Sequence, residues 1–272
     1  MSAESSNIDI EFRFICDEEL RNDEVPLVDG LIIRIPDRKL TSKVLNALPA
    51  MKEDVLHLKR VKNDTILVGV YSEKLEKEAR DCIAQFPGEF VFLSLPIPSR
   101  SPTTRSQFES YKVYWPVHYR EDLVLESKLD DTYFKAKIRE DLVSLLDEAS
   151  TSDGCVIADS SGLKVLARAS EAEEKGLNPL RHPFMRALEK FCQVQRAKRK
   201  RSMSGDEYLC NNCYVIIENE PCAMCAMALV HSRTSAVIFK NPSSNGAFIT
   251  NCQLHLNKKL NHHYDVYQVV KK

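Results

Sequence analysis

With 272 residues, the chain is long enough for two ordinary domains, or for one domain with a long extension. Its 43% apolar and 28% charged residues are a globular balance and exclude an intrinsically disordered chain. Lysine plus arginine (38) and aspartate plus glutamate (39) leave a net charge of −1, so any nucleic-acid surface must come from local clustering and not from a global field. No apolar run is long enough to cross a bilayer, and no membrane role is expected. The polar, acidic start MSAESSNIDIEF lacks the order of a signal peptide. The expected location is nucleus and cytoplasm.

The first 100 residues alternate short apolar runs with helical patterns. Residues 30–35 read as a strand closed by Pro36, and Thr41 opens a short helix that Pro49 stops. Residues 54–61 read as a second strand, turned at Asn63-Asp64 into a third over 65–71. Ser72, followed by Glu73 and Glu76, starts a helix to about Ala84, and Pro87-Gly88 turns the chain into a strand over 89–95. The order βαββαβ predicts a ferredoxin-like α+β domain over 1–100. Residues 101–125 are expected as a linker, because 96–110 is rich in Pro, Ser, Thr and Arg. Tyr111 to Val117 carries the single tryptophan and is expected to pack against the second domain.

A different signal occupies 126–272. A helix is predicted from Asp131 to Ala149, then a hairpin of 155–158 and 163–167 around Asp159-Ser-Ser-Gly162. A charged loop leads to a helix from Pro183 to about Val194, a strand over 214–217, a helix over 222–231 and a strand over 235–239. A short helix near 252–260 and a strand over 264–270 end the chain. By order this domain is α/β.

Nine cysteines, an odd number and mostly scattered, fit a reducing compartment in which thiols are buried or bind metal. Four of them fall within 210–225. The strongest chemical feature is His182-Pro183-Phe184 together with Pro221-Cys222-Ala-Met-Cys225. Proline suits the first turn of a helix, so His182 is expected at one helix start and Cys222 at another, with Cys225 a turn further on the same face. Two converging helix N-termini favour thiolates, and one imidazole with two thiolates is a zinc ligand set that leaves a fourth position open. The rival pattern is a four-cysteine zinc ribbon of Cys210, Cys213, Cys222 and Cys225. Only eight residues separate its two pairs, and it leaves His182-Pro183 unexplained.

The pair of motifs resembles the zinc nucleobase deaminases, whose signature is H-x-E with P-C-x-x-C. More finely, Tyr208-Leu-Cys210, Glu220-Pro-Cys-Ala-Met-Cys-Ala-Met-Ala-Leu-Val-His-Ser-Arg233 and Leu260-Asn-His-His-Tyr264 resemble the tRNA-specific adenosine deaminases. The last phrase and the long N-terminal extension resemble the subunit of the eukaryotic heterodimers that does not itself catalyse deamination. The resemblance implies a cytidine-deaminase-like three-layer α/β/α domain, one Zn2+ on His182, Cys222 and Cys225, a catalytic H-x-E partner subunit, and tRNA as substrate.

Phe184 stands where H-x-E has its glutamate, the residue that moves protons in this class. Losing a general acid/base typically costs about 10²–10⁴-fold, so the site is expected to hold metal and fail at chemistry. The size of Phe184 also allows it to fill the base pocket as well as disable it. Glu220 reads as structural and Glu189 as too far along its helix. His231, His255, His262 and His263 read as packing or surface residues. RNA contact is considered for Lys59, Arg60 and Lys62 near a turn, and for the run Arg196, Lys198, Arg199, Lys200 and Arg201, for which a solvated loop or nuclear import is the other reading. The expected function is that of a non-catalytic, zinc-binding subunit of a wobble adenosine-to-inosine deaminase. Two alternatives stay open: an independently active deaminase with an unrecognised proton shuttle, or a zinc-stabilised RNA-binding scaffold.

Overall fold

The computed structural model describes residues 10–151, 154–170, 178, 180–199 and 209–271. They form two compact units, a smaller one of Glu18–Glu126 and a larger one that joins the segment up to Asp17 to everything from Ser127 on. In chain order the elements begin with β1 (Ile10–Phe14), β2 (Leu27–Arg34), α1 (Thr41–Ala47), β3 (Val61–Lys62) and β4 (Thr65–Val70). Then follow α2 (Glu73–Ile83), β5 (Val91–Pro98), α3 (Arg105–Tyr114) and α4 (Leu123–Leu129). The larger unit continues with α5 (Ala136–Thr151), β6 (Cys155–Asp159), β7 (Val165–Ala169), α6 (Pro183–Arg199) and β8 (Cys213–Asn219). It ends with α7 (Ala223–Ser232), β9 (Ala236–Asn241) and β10 (Asp265–Lys271).

The smaller unit has a four-stranded antiparallel sheet in the order β3-β4-β2-β5. With α1 and α2 this is the expected ferredoxin-like order. Local chemistry sets its joints. Asn63 takes φ 55 in the turn between β3 and β4, and the Ser72 hydroxyl accepts the Leu75 N–H at 3.2 Å to cap α2. The strand expected over 54–61 is not one. Val55 and Leu58 are both buried, three residues apart, which is turn spacing and not the alternation of a strand, and Glu53–Val55 is a single 3-10 turn.

The expected linker is also structured. The start of the Pro-, Ser- and Arg-rich stretch, ahead of residue 101, completes β5, an edge strand where Pro96 and Pro98 are tolerated. Within 101–125 lies α3, capped by Thr104, whose hydroxyl accepts the Gln107 N–H, and α4 begins at Leu123. Trp115 packs inside the smaller unit with Ile32, Leu67, Ile97 and Tyr111, and its Nε1–H donates to the Lys59 carbonyl at 2.7 Å. The smaller unit therefore runs to residue 126, past residue 100.

The larger unit is built on a six-stranded sheet in the order β1-β10-β9-β8-β6-β7. The strands β8, β9 and β10 are mutually parallel, while β6, β7 and β1 join antiparallel. Both faces are covered. Val215, Ile217, Val237 and Phe239 pack against Phe184 and Phe191 of α6 and Leu229 of α7. The alternate positions Ile216, Ile238 and Tyr267 meet Leu142 and Leu146 of α5. Strands buried on both faces read as continuous apolar runs, and helices on both faces make the three layers α/β/α.

β1 had no counterpart in the sequence reading. Arg139 ties it down, pairing with Asp131 and donating to the Ile10 carbonyl, while the Asp131 carboxylate accepts the Phe12 N–H at 3.1 Å. No helix of the described residues is long and apolar enough to cross a membrane.

Candidate metal centre

His182 immediately precedes Pro183, the first residue of α6, and Cys222 caps α7 with extended backbone angles. Cys225 follows one turn into α7. The parallel strands β8 and β9 end on the same side of the sheet, and α7 begins just beyond β8, so the two helix starts meet. His182 Nδ1 lies 3.4 Å from both the Cys222 and the Cys225 sulfur. All three ligand atoms are within 4.8 Å of one another, and no other cluster of three or more His, Cys, Asp or Glu side chains among the described residues is this close. Tetrahedral zinc with Zn–S near 2.3 Å and Zn–N near 2.05 Å separates such atoms by about 3.6 Å, so the donors fit that ion in number, type and spacing. Burial pushes the Cys225 thiol up to about 12, with the neighbouring Cys222 adding to it.

The centre opens on a cleft of about 230 Å³ lined in part by Pro183, Glu220, Pro221 and Asn245. Phe184 is not in that wall. Its side chain is wholly buried among the α6–α7 core side chains, so it does not enter the cleft.

Glu220 is a clamp. Its carboxylate accepts the N–H groups of Ser243 (3.1 Å), Phe248 (2.7 Å), Ile249 (2.6 Å) and Thr250 (3.3 Å), and the Thr250 hydroxyl at 2.8 Å. Burial alone would raise its pKa. The donors from Ile249, Ser243, Thr250 and Phe248 outweigh that and hold it below the usual carboxylate range. Gly246 lies against this carboxylate, where any Cβ would overlap it. Glu220 thus holds the loop of 243–250, whose Ser243 and Asn245 line the cleft and were not singled out in the sequence.

Residues 128–241 match the cytidine and deoxycytidylate deaminase zinc-binding region. A Rattus norvegicus protein named "Probable inactive tRNA-specific adenosine deaminase-like protein 3" is 28% identical over 92% of this chain and 86% of its own. The Schizosaccharomyces pombe "tRNA-specific adenosine deaminase subunit tad3" is 27% identical over 84% of this chain and 79% of its own. The chain is a homologue of these Tad3-type proteins. A solved structure from a study of A-to-I editing by tRNA:A34 deaminases aligns with 48% of this chain and 95% of its own, at 18% identity and a TM-score of 0.37.

Other features of the Tad3-type sequence have plain structural roles here. The Tyr264 hydroxyl of the Leu260–Tyr264 phrase donates to the Ala226 carbonyl, one residue past Cys225. In the same phrase, His262 Nε2 contacts the Thr234 carbonyl at 2.7 Å. His255 is buried against Phe248 with Nε2 at 3.1 Å from the Ile15 carbonyl, and Glu189 pairs with Arg181. Cys210 and Cys213 stand at the opposite end of β8, about 20 Å away at strand rise, so the zinc-ribbon grouping is not formed.

The basic candidates divide. Arg60 donates to the Pro49 carbonyl at 2.6 Å, and Lys62 reaches the Tyr114 carbonyl while lying over the Trp115 ring. Both brace the smaller unit, whereas the Lys59 side chain is exposed. Arg196 is exposed on α6, and the backbone of Lys198 and Arg199 continues that helix, which runs past the expected end at Val194. Lys200 and Arg201 lie outside the described residues.

Proposed function

We propose that this chain is the non-catalytic, zinc-holding subunit of a heterodimeric tRNA adenosine deaminase, paired with an H-x-E subunit that converts the wobble adenosine to inosine. One observation carries the reading: the three metal donors are assembled, while Phe184 occupies the position of the proton-transferring glutamate and buries its ring in the core. The names of the relatives support it.

His182, Cys222 and Cys225 would hold the ion. A zinc ion there supplies a Lewis acid with one open position. Phe184 can neither accept nor donate a proton. Glu220 is no substitute, because all its acceptor capacity is spent on the 243–250 loop. The centre therefore serves as a staple between α6 and α7, and the cleft lacks the group that chemistry needs. In the same reading the smaller unit contributes tRNA affinity, and the assembly works in nucleus and cytoplasm.

Inosine at the wobble position is measured with each chain alone and with both. Neither chain alone should form it efficiently, the mixture should, and glutamate-to-alanine in the partner's H-x-E should abolish it. Metal analysis should find one zinc in the full chain, lost in His182→Ala and kept in Cys210→Ser. Turnover by this chain purified free of any H-x-E protein overturns the reading.

A further inference from the structure

The smaller unit leaves no sheet face free to meet bases. On one side Leu31, Ile33, Ile66 and Val68 are covered by Val44 of α1 and by Ala79 and Ile83 of α2. On the other, Ile32, Leu67 and Ile97 are covered by Tyr111 and Trp115. Under the function proposed above, RNA contact must therefore run through exposed side chains of helices and turns. Most cations there already have an anion. Arg34 pairs with Asp64 at 3.8 Å, α2 pairs Lys74 with Glu78 and Arg80 with Glu76, and α3 pairs Arg105 and Lys112 with Glu109.

One surface is different. A 3-10 turn over Arg38–Leu40 runs directly into α1. The inner side of this segment holds Val44, fully buried, with Leu40, Leu45 and Leu48 packed beside it. The outer side carries Lys39, Ser42, Lys43 and Asn46 at i, i+3, i+4 and i+7, all exposed, with exposed Arg38 at its start. No acid occurs from residue 38 to residue 52. Asp37, next to Arg38 in the chain, spends a carboxylate oxygen on the Lys39 N–H at 2.9 Å. Among the described residues, no ion pair engages the side chains of Arg38, Lys39 or Lys43. Three cations thus stand unneutralised on one ridge, beside two neutral side chains able to donate hydrogen bonds.

We propose that this ridge of Arg38, Lys39, Ser42, Lys43 and Asn46 is the surface by which the smaller unit holds an RNA phosphate backbone, a site whose ligand rests on the tRNA deaminase reading. Lys39 and Lys43 stand one turn apart, about 5–6 Å between Cβ atoms, so both reach the same strand. Cations, hydroxyls and amides bind phosphate oxygens, whereas single-stranded RNA is read through stacking and base edges. The ridge offers no aromatic ring, so it positions the RNA and is largely indifferent to its sequence. A membrane surface fits less well, because none of the five outward side chains is apolar and able to enter a bilayer.

The test measures tRNA binding against salt for the full chain and for its assembly with the H-x-E partner, together with inosine formation by the assembly. Arg38→Gln, Lys39→Gln and Lys43→Gln combined should weaken binding in both and flatten the slope of log K against log salt by about 2.1–2.7, at about 0.7–0.9 for each contact. Between about 50 and 200 mM salt the native protein should thus lose roughly 20–40-fold more affinity than the variant. The variant's KM for tRNA should rise while kcat at saturation and the melting temperature hold. Lys74→Gln with Lys77→Gln on α2 should change none of these. If the assembly makes inosine and the triple variant keeps native affinity, or binds more weakly with an unchanged salt slope, the ridge is overturned and the deaminase reading stands. If the assembly makes no inosine while the full chain binds tRNA through these three residues, the deaminase reading fails and the ridge stands. Binding to phosphatidylserine vesicles with none to tRNA overturns the RNA assignment.

Discussion

Glu220 shows how one buried carboxylate can shape a cleft without touching its chemistry. Four N–H groups and a hydroxyl converge on it from a segment of eight residues. Removing the acceptor leaves those donors without their partner, at a cost of about 1–3 kcal/mol for each group that stays dry. Glu220→Ala should therefore destabilise the larger unit by at least about 2 kcal/mol in urea unfolding. Gly246→Ala should do the same from the other side, because its methyl group takes the carboxylate's place. The pH dependence has a definite sign. The folded-state pKa of Glu220 is depressed, so its contribution is present above the ordinary glutamate range and is lost as pH falls through the folded value. The stability gap between the native chain and Glu220→Gln should be wide at neutral pH and narrow in acid. A gap that widens in acid would show that the clamp does not depend on the carboxylate charge.

At the scale of elements, the sequence revealed what local pattern controls and hid what distant pairing controls. The cluster of His182, Cys222 and Cys225 was legible because each residue is placed by its neighbours: proline after His182, proline before Cys222, and one helical turn to Cys225. The strands β8 and β9 were legible because strands covered on both faces need unbroken apolar runs. β1 was not, since Ile-Glu-Phe-Arg-Phe is a short alternating segment whose partner β10 lies some 250 residues downstream. Nor was α3, because its Thr104 cap sits in a Pro-, Ser- and Arg-rich stretch whose composition resembles a linker. A truncation after residue 100 would thus remove β1 from the larger unit along with most of the smaller one. Deleting residues 1–17 alone should lower the larger unit's melting temperature, because it uncovers the edge of β10 and takes away the buried Phe12. The smaller unit's hydrogen exchange should stay as it was. An unchanged melting temperature would mean that β1 contributes nothing to the sheet.

For the whole molecule, the question is what the smaller unit adds under the proposed function. The net charge of −1 gives no long-range pull toward RNA, so affinity must come from particular cations. Of those near the β3–β4 turn, Arg60 and Lys62 are held by carbonyls of their own unit, which leaves Lys59 with an exposed side chain. The informative variant replaces residues 18–126 with a flexible linker and retains 1–17, so that β1 still covers β10. Assembled with the H-x-E partner, it should keep its zinc and bind tRNA more weakly. The affinity lost should be the salt-sensitive part. Each phosphate contact removed lowers the slope of log K against log salt by about 0.7–0.9, so the variant's plot should be flatter than that of the full assembly. Lys59→Ala should move in the same direction by about one contact. Arg60→Ala should instead lower the stability of the smaller unit, as expected of a brace. An assembly that binds tRNA with equal affinity and equal salt slope without residues 18–126 would place RNA recognition wholly in the deaminase-fold units.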